Sequence, residues 1–274
     1  MPALLYNAQS LPPALNAAFP QAAAYVRAFA DGRSAELVTN VRTEMLALHL
    51  TAADSSAEGG LLLPITVNDG TELPPSAAAT GEPNGYVVSP RTTYVHYGYE
   101  EARLLPSALV RGAARTALAT MDGALRLARA DAVVILNNWL VSTNLHPQEW
   151  TGAERLGAEP DIAEVLRLIN ARWPHHAVMV RSLNPFCNEL LMQNLKRAGF
   201  LLVPSRQVYL YDARQGDRSA FADTRNFQWD SRLLETGAYA TEHPLRNPDA
   251  RLFQRIAQLY GRLYLEKYSR LNPQ

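Results

Sequence analysis

The sequence has one cysteine in 274 residues, no excess of either charge and no long apolar run. The single cysteine, Cys187, excludes an intramolecular disulfide and is typical of a reducing compartment. With 26 basic and 26 acidic side chains, the whole chain has no net attraction for nucleic acid or for an anionic membrane. No apolar run approaches the roughly 20 residues of a transmembrane helix, and the N-terminus lacks the segments of a signal peptide. We therefore expect a soluble cytoplasmic protein with no membrane partner.

The chain also lacks the short motifs that carry most recognisable chemistry: a nucleophile elbow, a phosphate-binding loop and a metal-ligand spacing. His175 and His176 are adjacent and cannot form a metal site alone, so we expect no metal. Ser142 and Ser182 stand outside a Gly-x-Ser-x-Gly setting. A hydrolase would need a Ser–His or Cys–His contact that the spacing neither shows nor forbids. The Ala-, Arg- and Leu-rich composition indicates a bacterial source.

The most informative stretch that is present runs from Ala130 to Pro147. Its first part, Ala132 to Leu136, is continuously apolar and predicts a buried strand. The strand is followed at once by amides, hydroxyls, one indole and one imidazole: Asn137, Asn138, Trp139, Ser142, Thr143, Asn144 and His146. Open α/β sheets keep their ligand crevices at the carboxyl ends of core strands, so this run predicts a binding site.

The residues before this stretch predict one helix followed by short strands. The helix covers Pro13–Ala30, and the strands cover Glu36–Thr39, Glu44–Thr51, Leu61–Asn68, Gly85–Ser89 and Thr92–Tyr97. Because proline donates nothing to a β-ladder, Pro64 is expected at an edge or a bulge. A helix followed by an antiparallel meander indicates an α+β or mixed sheet.

The remaining residues alternate between helices and strands. A helix from Ser107 to Arg129 precedes the buried strand, with an inward face of Leu109, Ala113, Ala117, Leu118, Met121, Leu125 and Ala128. The pattern then predicts helix Asp161–Arg172, strand Ala177–Leu183, helix Asn188–Ala198 closed by Gly199, strand Leu201–Leu210, an irregular stretch Asp212–Ala238, and a last helix from Asp249. Strands separated by helices require crossover connections and a partly parallel sheet.

The segment Ala177–Leu210, with its Asn-Pro turn and a helix that ends LKRAGF, resembles the last strand–helix–strand of the GNAT acyltransferase superfamily. The earlier elements follow in the same order, and Asp230–Gln274 is similar to the bridge into the second unit of Fem-type tandem acyltransferases. The resemblance implies a GNAT-like α/β fold (mixed α+β), in which a central mixed sheet has an antiparallel N-terminal meander and helices on both faces. It further implies a GNAT-like domain over 1–213, a linker or lid over 214–240, and a helical segment over 241–274 that begins a second GNAT-like unit.

The function that the resemblance implies is transfer of an acyl or aminoacyl group to a small-molecule amine. GNAT enzymes that use acyl-CoA hold its pyrophosphate on a glycine-rich turn that opens the long central helix. At the matching place this chain has Gly98-Tyr99-Glu100-Glu101 and Pro106-Ser107, a poor cradle for phosphate. The first unit of the Fem-type family also lacks that turn and uses aminoacyl-tRNA. The donor therefore stays open between acyl-CoA and aminoacyl-tRNA, although no basic stripe indicates tRNA.

The candidate catalytic residues are His96 and Tyr94, in the densest titratable cluster of the chain. An imidazole titrates near neutral pH and can act as a general base, and on a regular strand the two side chains share one face. The alternative is a sheet with half-buried aromatic residues. The candidate substrate-binding residues are Asn137, Asn138, Trp139, Ser142, Asn144, Arg181 and Asn184. Their alternatives are turn and cap chemistry for the amides, cover of the core edge for the indole, and a structural salt bridge for the arginine.

The alternative function is a non-catalytic GNAT-like binding unit that docks a partner through its C-terminal helix. That helix presents an apolar face of Leu252, Phe253, Ile256, Leu259, Tyr260, Leu263 and Tyr264. Its partner would be a second GNAT-like unit or another copy of the chain. A deep pocket that joins His96, Asn137 and Arg181 favours the enzyme, whereas an exposed apolar helix face favours the binding unit.

Overall fold

The computed structural model describes residues 3–29, 34–51, 60–70, 83–147, 162–208, 210, 224–237 and 249–274. The chain forms two compact units, one comprising Met1–Leu202 with Leu263–Gln274 and the other Val203–Arg262. Within the described ranges, every helix is too short or too polar to cross a membrane.

The first unit is built on one five-stranded sheet with the order β1-β2-β3-β4-β5. The strands are β1 (Ala3–Tyr6), β2 (Glu44–Leu50), β3 (Leu61–Asp69), β4 (Ala132–Leu136) and β5 (Ala177–Val180). Strands β1 to β4 pair antiparallel with their neighbours, and β4 pairs parallel with β5. The predicted mixed α/β sheet with an antiparallel N-terminal part is therefore confirmed.

Helices of the first unit surround this sheet. They are α1 (Pro13–Ala18), α2 (Pro20–Ala28), α3 (Ser34–Leu37), a π-helical turn (Thr92–His96) continued by α4 (Tyr97–Arg103), α5 (Ala108–Leu127), α6 (Ile162–Arg172) and α7 (Pro185–Arg197). The second unit contains α8 (Arg225–Glu235) and α9 (Ala250–Tyr260), and a further π-helical segment follows (Gly261–Glu266). Helix α7 ends as predicted, because Gly199 has a left-handed φ of 92° and the Phe200 N–H reaches the Leu195 carbonyl at 3.0 Å.

Two apolar cores cover the two faces of the sheet. Successive strand residues point to opposite faces, so Leu63 of β3 packs in one core and Leu62 in the other. Helices α6 and α7 contribute Ile162, Val165, Ile169, Leu191 and Leu195 to the first core. Helices α1 and α2 contribute Leu15, Ala22, Ala23 and Val26 to the second. Helices on both faces are thus confirmed, and the chain at the end of β4 contributes to both cores, with Leu136 in the first and Leu140 in the second.

Proline explains two departures from the predicted N-terminal half. The predicted helix Pro13–Ala30 is two helices, because Pro20 has no N–H for the helical ladder and the chain bends at Phe19. Pro64 lies on the central strand β3 and not at the edge that we predicted. It is tolerated there because the β3–β4 ladder has ended, and its carbonyl accepts the Asn138 N–H at 2.8 Å. The predicted strand Glu36–Thr39 is also wrong, since Ser34–Leu37 is helical.

The two strands predicted over 85–97 are wrong, since this segment is a turn that leads into a helix. The Ser89 hydroxyl accepts the Thr92 N–H at 3.0 Å, and Asp131 accepts the Ser89 hydroxyl at 2.9 Å and the Arg91 N–H at 3.0 Å. These bonds satisfy the donors at the start of the helix. Tyr94 and His96 therefore do not share a strand face.

Three further predictions fail in the exposed parts of the chain. No residue of 201–208 or 210 belongs to a strand, and most of the stretch is exposed. The predicted irregular stretch Asp212–Ala238 contains helix α8, whose first turn is capped by Thr224. The predicted inward face of α5 is not buried, and Leu109 is 84 % exposed. The main contacts of helix α5 are with α4 and with the π-helical turn before it, so amphipathic spacing here did not mean burial.

Two glycines, one packed against β4 and one on the exposed face of α5, test this description of the fold. Gly70 has a left-handed φ of 72°, and a Cβ there would lie 2.8 Å from the Ala132 backbone nitrogen at the start of β4. Gly70→Ala is expected to lower the free energy of unfolding by about 2 kcal/mol, through backbone strain and this clash. Gly112→Ala on exposed α5, where a Cβ meets nothing within 4 Å, is expected to raise it by roughly 0.5–1 kcal/mol. Urea denaturation measures both, and equal effects would contradict the account.

Candidate functional site

The chain leaves the sheet abruptly at the carboxyl ends of the parallel strands β4 and β5. Asn137, the first residue after β4, has a φ of 50°, and Leu140 and Ser182 have φ values of 54° and 63°. Residues other than glycine rarely adopt this left-handed backbone conformation, and among them asparagine tolerates it best. Such strained residues cluster at functional sites, so the predicted place is structurally unusual.

Asn137 organises the loop that follows β4. Its side-chain nitrogen lies 2.9 Å from the Leu145 carbonyl and 3.1 Å from Nδ1 of His146, while its oxygen accepts the Trp139 indole N–H at 2.8 Å. Since the indole nitrogen only donates, this contact fixes the orientation of the amide. The amide nitrogen then donates to Nδ1, so His146 is the neutral tautomer whose Nε2–H donates to the Arg181 carbonyl at 2.8 Å.

Asn138 ties this loop to the rest of the sheet. Its fully buried side chain donates to the Thr66 hydroxyl at 2.8 Å and to the Val87 carbonyl at 2.9 Å. Its oxygen accepts the Leu140 N–H at 3.3 Å and an Arg181 N–H at 3.2 Å. All four hydrogen-bonding positions of this amide are therefore occupied by the protein itself.

Arg181 bridges the ends of the two strands. Besides Asn138, its guanidinium donates to the carbonyls of Val141 and Ser142, each at 3.2 Å. The guanidinium carbon also lies 5.9 Å from the ring centroid of Tyr86, a cation–π distance. The predicted Arg181 site residue thus holds the loop after β4 against β5 through carbonyl groups.

The other predicted residues of this end serve mainly local contacts. The Asn144 oxygen accepts the Trp139 N–H at 3.2 Å, and the Asn144 N–H reaches the Ser182 hydroxyl at 3.0 Å. The Asn144 side-chain nitrogen is buried and has no acceptor within the described ranges. Ser142 is exposed, and Asn184 caps α7 by accepting the Cys187 N–H at 2.9 Å. The end of β4 is therefore a tightly bonded amide network.

A second place lies beside the helix that continues from the π-helical turn. A pocket of about 400 Å³ is lined there by Pro83, His96, Tyr99, Glu100, Arg103, Arg115 and Leu271. His96, Tyr99, Glu100 and Arg103 are spaced so that they share one helical face. The predicted residue His96 lies in this pocket, whereas Tyr94, Asn137 and Arg181 are not among its lining. From the sequence, a pocket joining His96, Asn137 and Arg181 would favour an enzyme. This pocket contains His96 but neither Asn137 nor Arg181.

The sequence did not indicate three residues of this lining, Arg103, Arg115 and Leu271, and Arg103 was missed because residues 92–97 were predicted to be a strand. The helical spacing from His96 to Arg103 would have shown the shared face, once that segment was recognised as a helix. Arg115 and Leu271 come from other elements, and no local pattern indicates their approach.

The electrostatic surroundings of His96 come from a neighbouring ion-pair network. Arg91 lies 3.0 Å from Asp122 and 3.8 Å from Asp131, and Asp122 also pairs with Arg126 at 2.8 Å. Burial lowers the pKa of His96, and the nearby Arg91 lowers it further against the opposing effect of the two aspartates. The imidazole is therefore uncharged at neutral pH and able to accept a proton.

The two places are neighbours through aromatic rings. Tyr86, which lies under the Arg181 guanidinium, also contacts the ring of Tyr97 edge-on at a centroid distance of 6.2 Å. Tyr97 directly follows His96.

No group of three or more His, Cys, Asp or Glu side chains suited to a metal ion occurs within the described part of the chain.

Comparison with known proteins adds no further assignment: no family model, no curated protein and no solved structure matches this chain. The resemblance to GNAT enzymes therefore stays a prediction from the sequence.

Acid is expected to destabilise the protein through His146. Burial is the main cause that lowers the pKa of His146, and protonated Nδ1 would point a proton at the Asn137 amide nitrogen. The folded-state pKa of His146 lies below that of the unfolded chain, so folding favours the neutral imidazole. The contribution of neutral His146 to stability is therefore complete above about pH 6.5 and is lost as the pH falls below it. Urea denaturation between pH 7.5 and 5 measures the loss. His146→Gln is expected to reduce the loss, exposed His175→Gln to leave it unchanged, and identical pH profiles for all three would contradict the assignment.

Proposed function

We propose that this chain is a GNAT-like unit that transfers an acyl or aminoacyl group to a small-molecule amine. The observation that carries the proposal is the sheet: four antiparallel strands, then the parallel unit β4–α6–β5, then helix α7 closed by Gly199-Phe200. This order agrees with the resemblance as far as helix α7, whereas the strand over 201–210 that would complete it is absent from the described residues. Ligands of open α/β sheets bind outside the carboxyl ends of such parallel strands, where Asn137 and Ser182 adopt strained conformations.

The chemistry supports His96 as the proton acceptor. An amine attacks an acyl carbonyl only after it has lost a proton, and the enzyme must position it and stabilise the oxyanion. The bond from the acyl carbon to the CoA sulfur or to the tRNA ribose oxygen then breaks, and the released thiolate or alkoxide takes up the proton. His96 is uncharged at neutral pH and lines an open pocket, as a general base requires. Tyr94 lies outside the lining of that pocket, and Tyr99 is the phenol that reaches it.

The helical structure of residues 98–101 supports the prediction that this place is a poor cradle for phosphate. Residues 98–101 lie inside α4, so their N–H groups belong to a helix and cannot cradle a pyrophosphate. Both donor classes, acyl-CoA and aminoacyl-tRNA, therefore enter the test.

A thermal-shift titration tests donor binding. The purified protein is titrated with acetyl-CoA, free CoA, aminoacyl-tRNA and uncharged tRNA. A ligand at 100 times its dissociation constant adds roughly 2.7 kcal/mol to the free energy of unfolding, so one donor class is expected to raise the melting temperature with dose. The proposal fails if neither acetyl-CoA nor aminoacyl-tRNA produces a saturable shift.

The alternative function, a non-catalytic binding unit, is favoured by two observations: the pocket at His96 does not include Asn137 or Arg181, and an apolar face of α9 is exposed. Its residues Phe253, Ile256 and Leu259 are 45 %, 44 % and 48 % exposed, and their spacing places them on one face. An apolar face of this kind supports a non-catalytic unit that docks a second GNAT-like unit or another copy of the chain. Ile256→Glu with size-exclusion chromatography and light scattering tests this reading: a self-associating wild type that the variant makes monomeric supports homo-oligomeric docking, whereas a monomeric wild type excludes it.

A further inference from the structure

We infer that the pocket beside α4 binds a small ligand that carries both a carboxylate and a primary amine, as an amino acid does. Binding of such a ligand does not depend on the proposed transfer. Its identification as the amine acceptor rests on that proposed function. The volume of about 400 Å³ suits a ligand of this size.

Two arginines supply the anion-binding side of the pocket. Arg103 at the end of α4 and Arg115 on α5 both line the pocket, and neither guanidinium has a hydrogen bond or ion pair with a residue that the structure describes. Other arginines nearby in the chain do have partners. Arg91 and Arg126 form ion pairs with Asp122, and the guanidinium groups of Arg111 and Arg129 donate to the carbonyls of Leu105 and Asp69. Guanidinium groups suit carboxylates through paired N–H donors.

Glu100 supplies the opposite charge. One of its carboxylate oxygens is buried and has no hydrogen-bond donor among the described residues. A buried oxygen without a donor is unfavourable, and a ligand ammonium would provide the missing N–H groups. Glu100 lies one helical turn from both His96 and Arg103, so one ligand can reach all three. A plain anion such as phosphate would satisfy the arginines and would be repelled by this carboxylate.

The walls of the pocket are held by close packing and by the C-terminal segment. A Cβ at Gly98 would lie 2.7 Å from Leu118, so α4 approaches α5 closely one turn away from Arg115. Leu271 is held by its neighbours, because the Asn40 side chain donates to the carbonyls of residues 270 and 272 at 3.1 and 2.7 Å. Leu271 and Pro83 are apolar, which favours a ligand with an apolar side chain.

Isothermal titration calorimetry of the full chain, without any acyl donor, tests this inference. The probes are L-leucine, N-acetyl-L-leucine, L-leucine amide and inorganic phosphate. L-leucine is expected to bind saturably, and each derivative, which lacks one of the two charged groups, at least tenfold more weakly. Failure of L-leucine to bind, equal binding of a derivative, or binding of phosphate alone would overturn the inference.

Three variants locate the binding. Arg115→Gln and Glu100→Gln are each expected to weaken L-leucine at least tenfold, while Arg197→Gln on α7, outside the pocket, leaves it unchanged. Melting temperatures within a few degrees of wild type establish that each variant is folded. Undiminished binding in Arg115→Gln and Glu100→Gln would contradict the site. The calorimetry uses no acyl donor, so binding of L-leucine would stand even if no transfer were detected. Likewise, failure of L-leucine to bind would not by itself exclude acyl transfer to another amine.

Discussion

Replacement of His96 by glutamine is expected to slow acyl transfer by about 100-fold or more, the usual contribution of a positioned general base. The imidazole lines the pocket, and burial together with Arg91 keeps its pKa low, so it is free to accept the proton of an amine. Glutamine keeps the polarity of the side chain and cannot take up a proton at neutral pH. Steady-state rates at saturating donor and amine measure the change.

Two controls separate loss of the base from general damage. His175 is exposed in the turn before β5, and His175→Gln is expected to keep the wild-type rate. In the wild type, the rate is expected to fall as the pH drops below the lowered pKa of His96, since the protonated ring cannot accept a proton. A folded His96→Gln variant with the wild-type rate would show that His96 is not the base.

Asn138→Ala is expected to lower the free energy of unfolding by about 3 kcal/mol. The side chain is fully buried and bonds to one partner in its own loop and to three partners in distant parts of the chain. Its removal leaves the Thr66 hydroxyl, the Val87 carbonyl and the Arg181 guanidinium with unsatisfied polar groups, each of which costs about 1–3 kcal/mol when buried, less any relaxation. Urea denaturation at pH 7.5 measures the change.

A matched substitution gives the scale for this effect. Asn226 on α8 is exposed, and Asn226→Ala is expected to change the free energy of unfolding by less than about 0.5 kcal/mol. If Asn138→Ala were as mild as Asn226→Ala, the amide network would not be what joins the end of β4 to the sheet.

The strand and cap predictions that hold are those decided by local residues. Strands β2, β3 and β4 are apolar enough to be recognised alone, and Gly199 ends α7 because only its left-handed φ closes the last turn. The helix over 92–103 could not be predicted in this way. Its β-branched residues favour a strand, and the contact that overrides them comes from Asp131, which is 40 residues away from Arg91 in the chain.

The candidate site shows the same division. The run after β4 was predicted to be a binding site, which stays a prediction, and its backbone strain follows from the abrupt exit at Asn137. What the sequence could not show is how the amides are used, since Asn138 bonds to Thr66 and Val87, far away in the chain. The pocket beside α4 combines residues of two helices with Leu271, and such a meeting is a property of tertiary packing alone.

The most direct test of the proposed transfer is detection of its product by mass spectrometry. The protein is incubated with a panel of primary amines and with either acetyl-CoA or aminoacyl-tRNA, and the mass of the new amide is measured over time. The account predicts an amide product with one of the two donors, formed by the wild type and reduced about 100-fold or more in His96→Gln. Absence of an amide product with both donors, from a protein that is folded by its melting temperature, would contradict it.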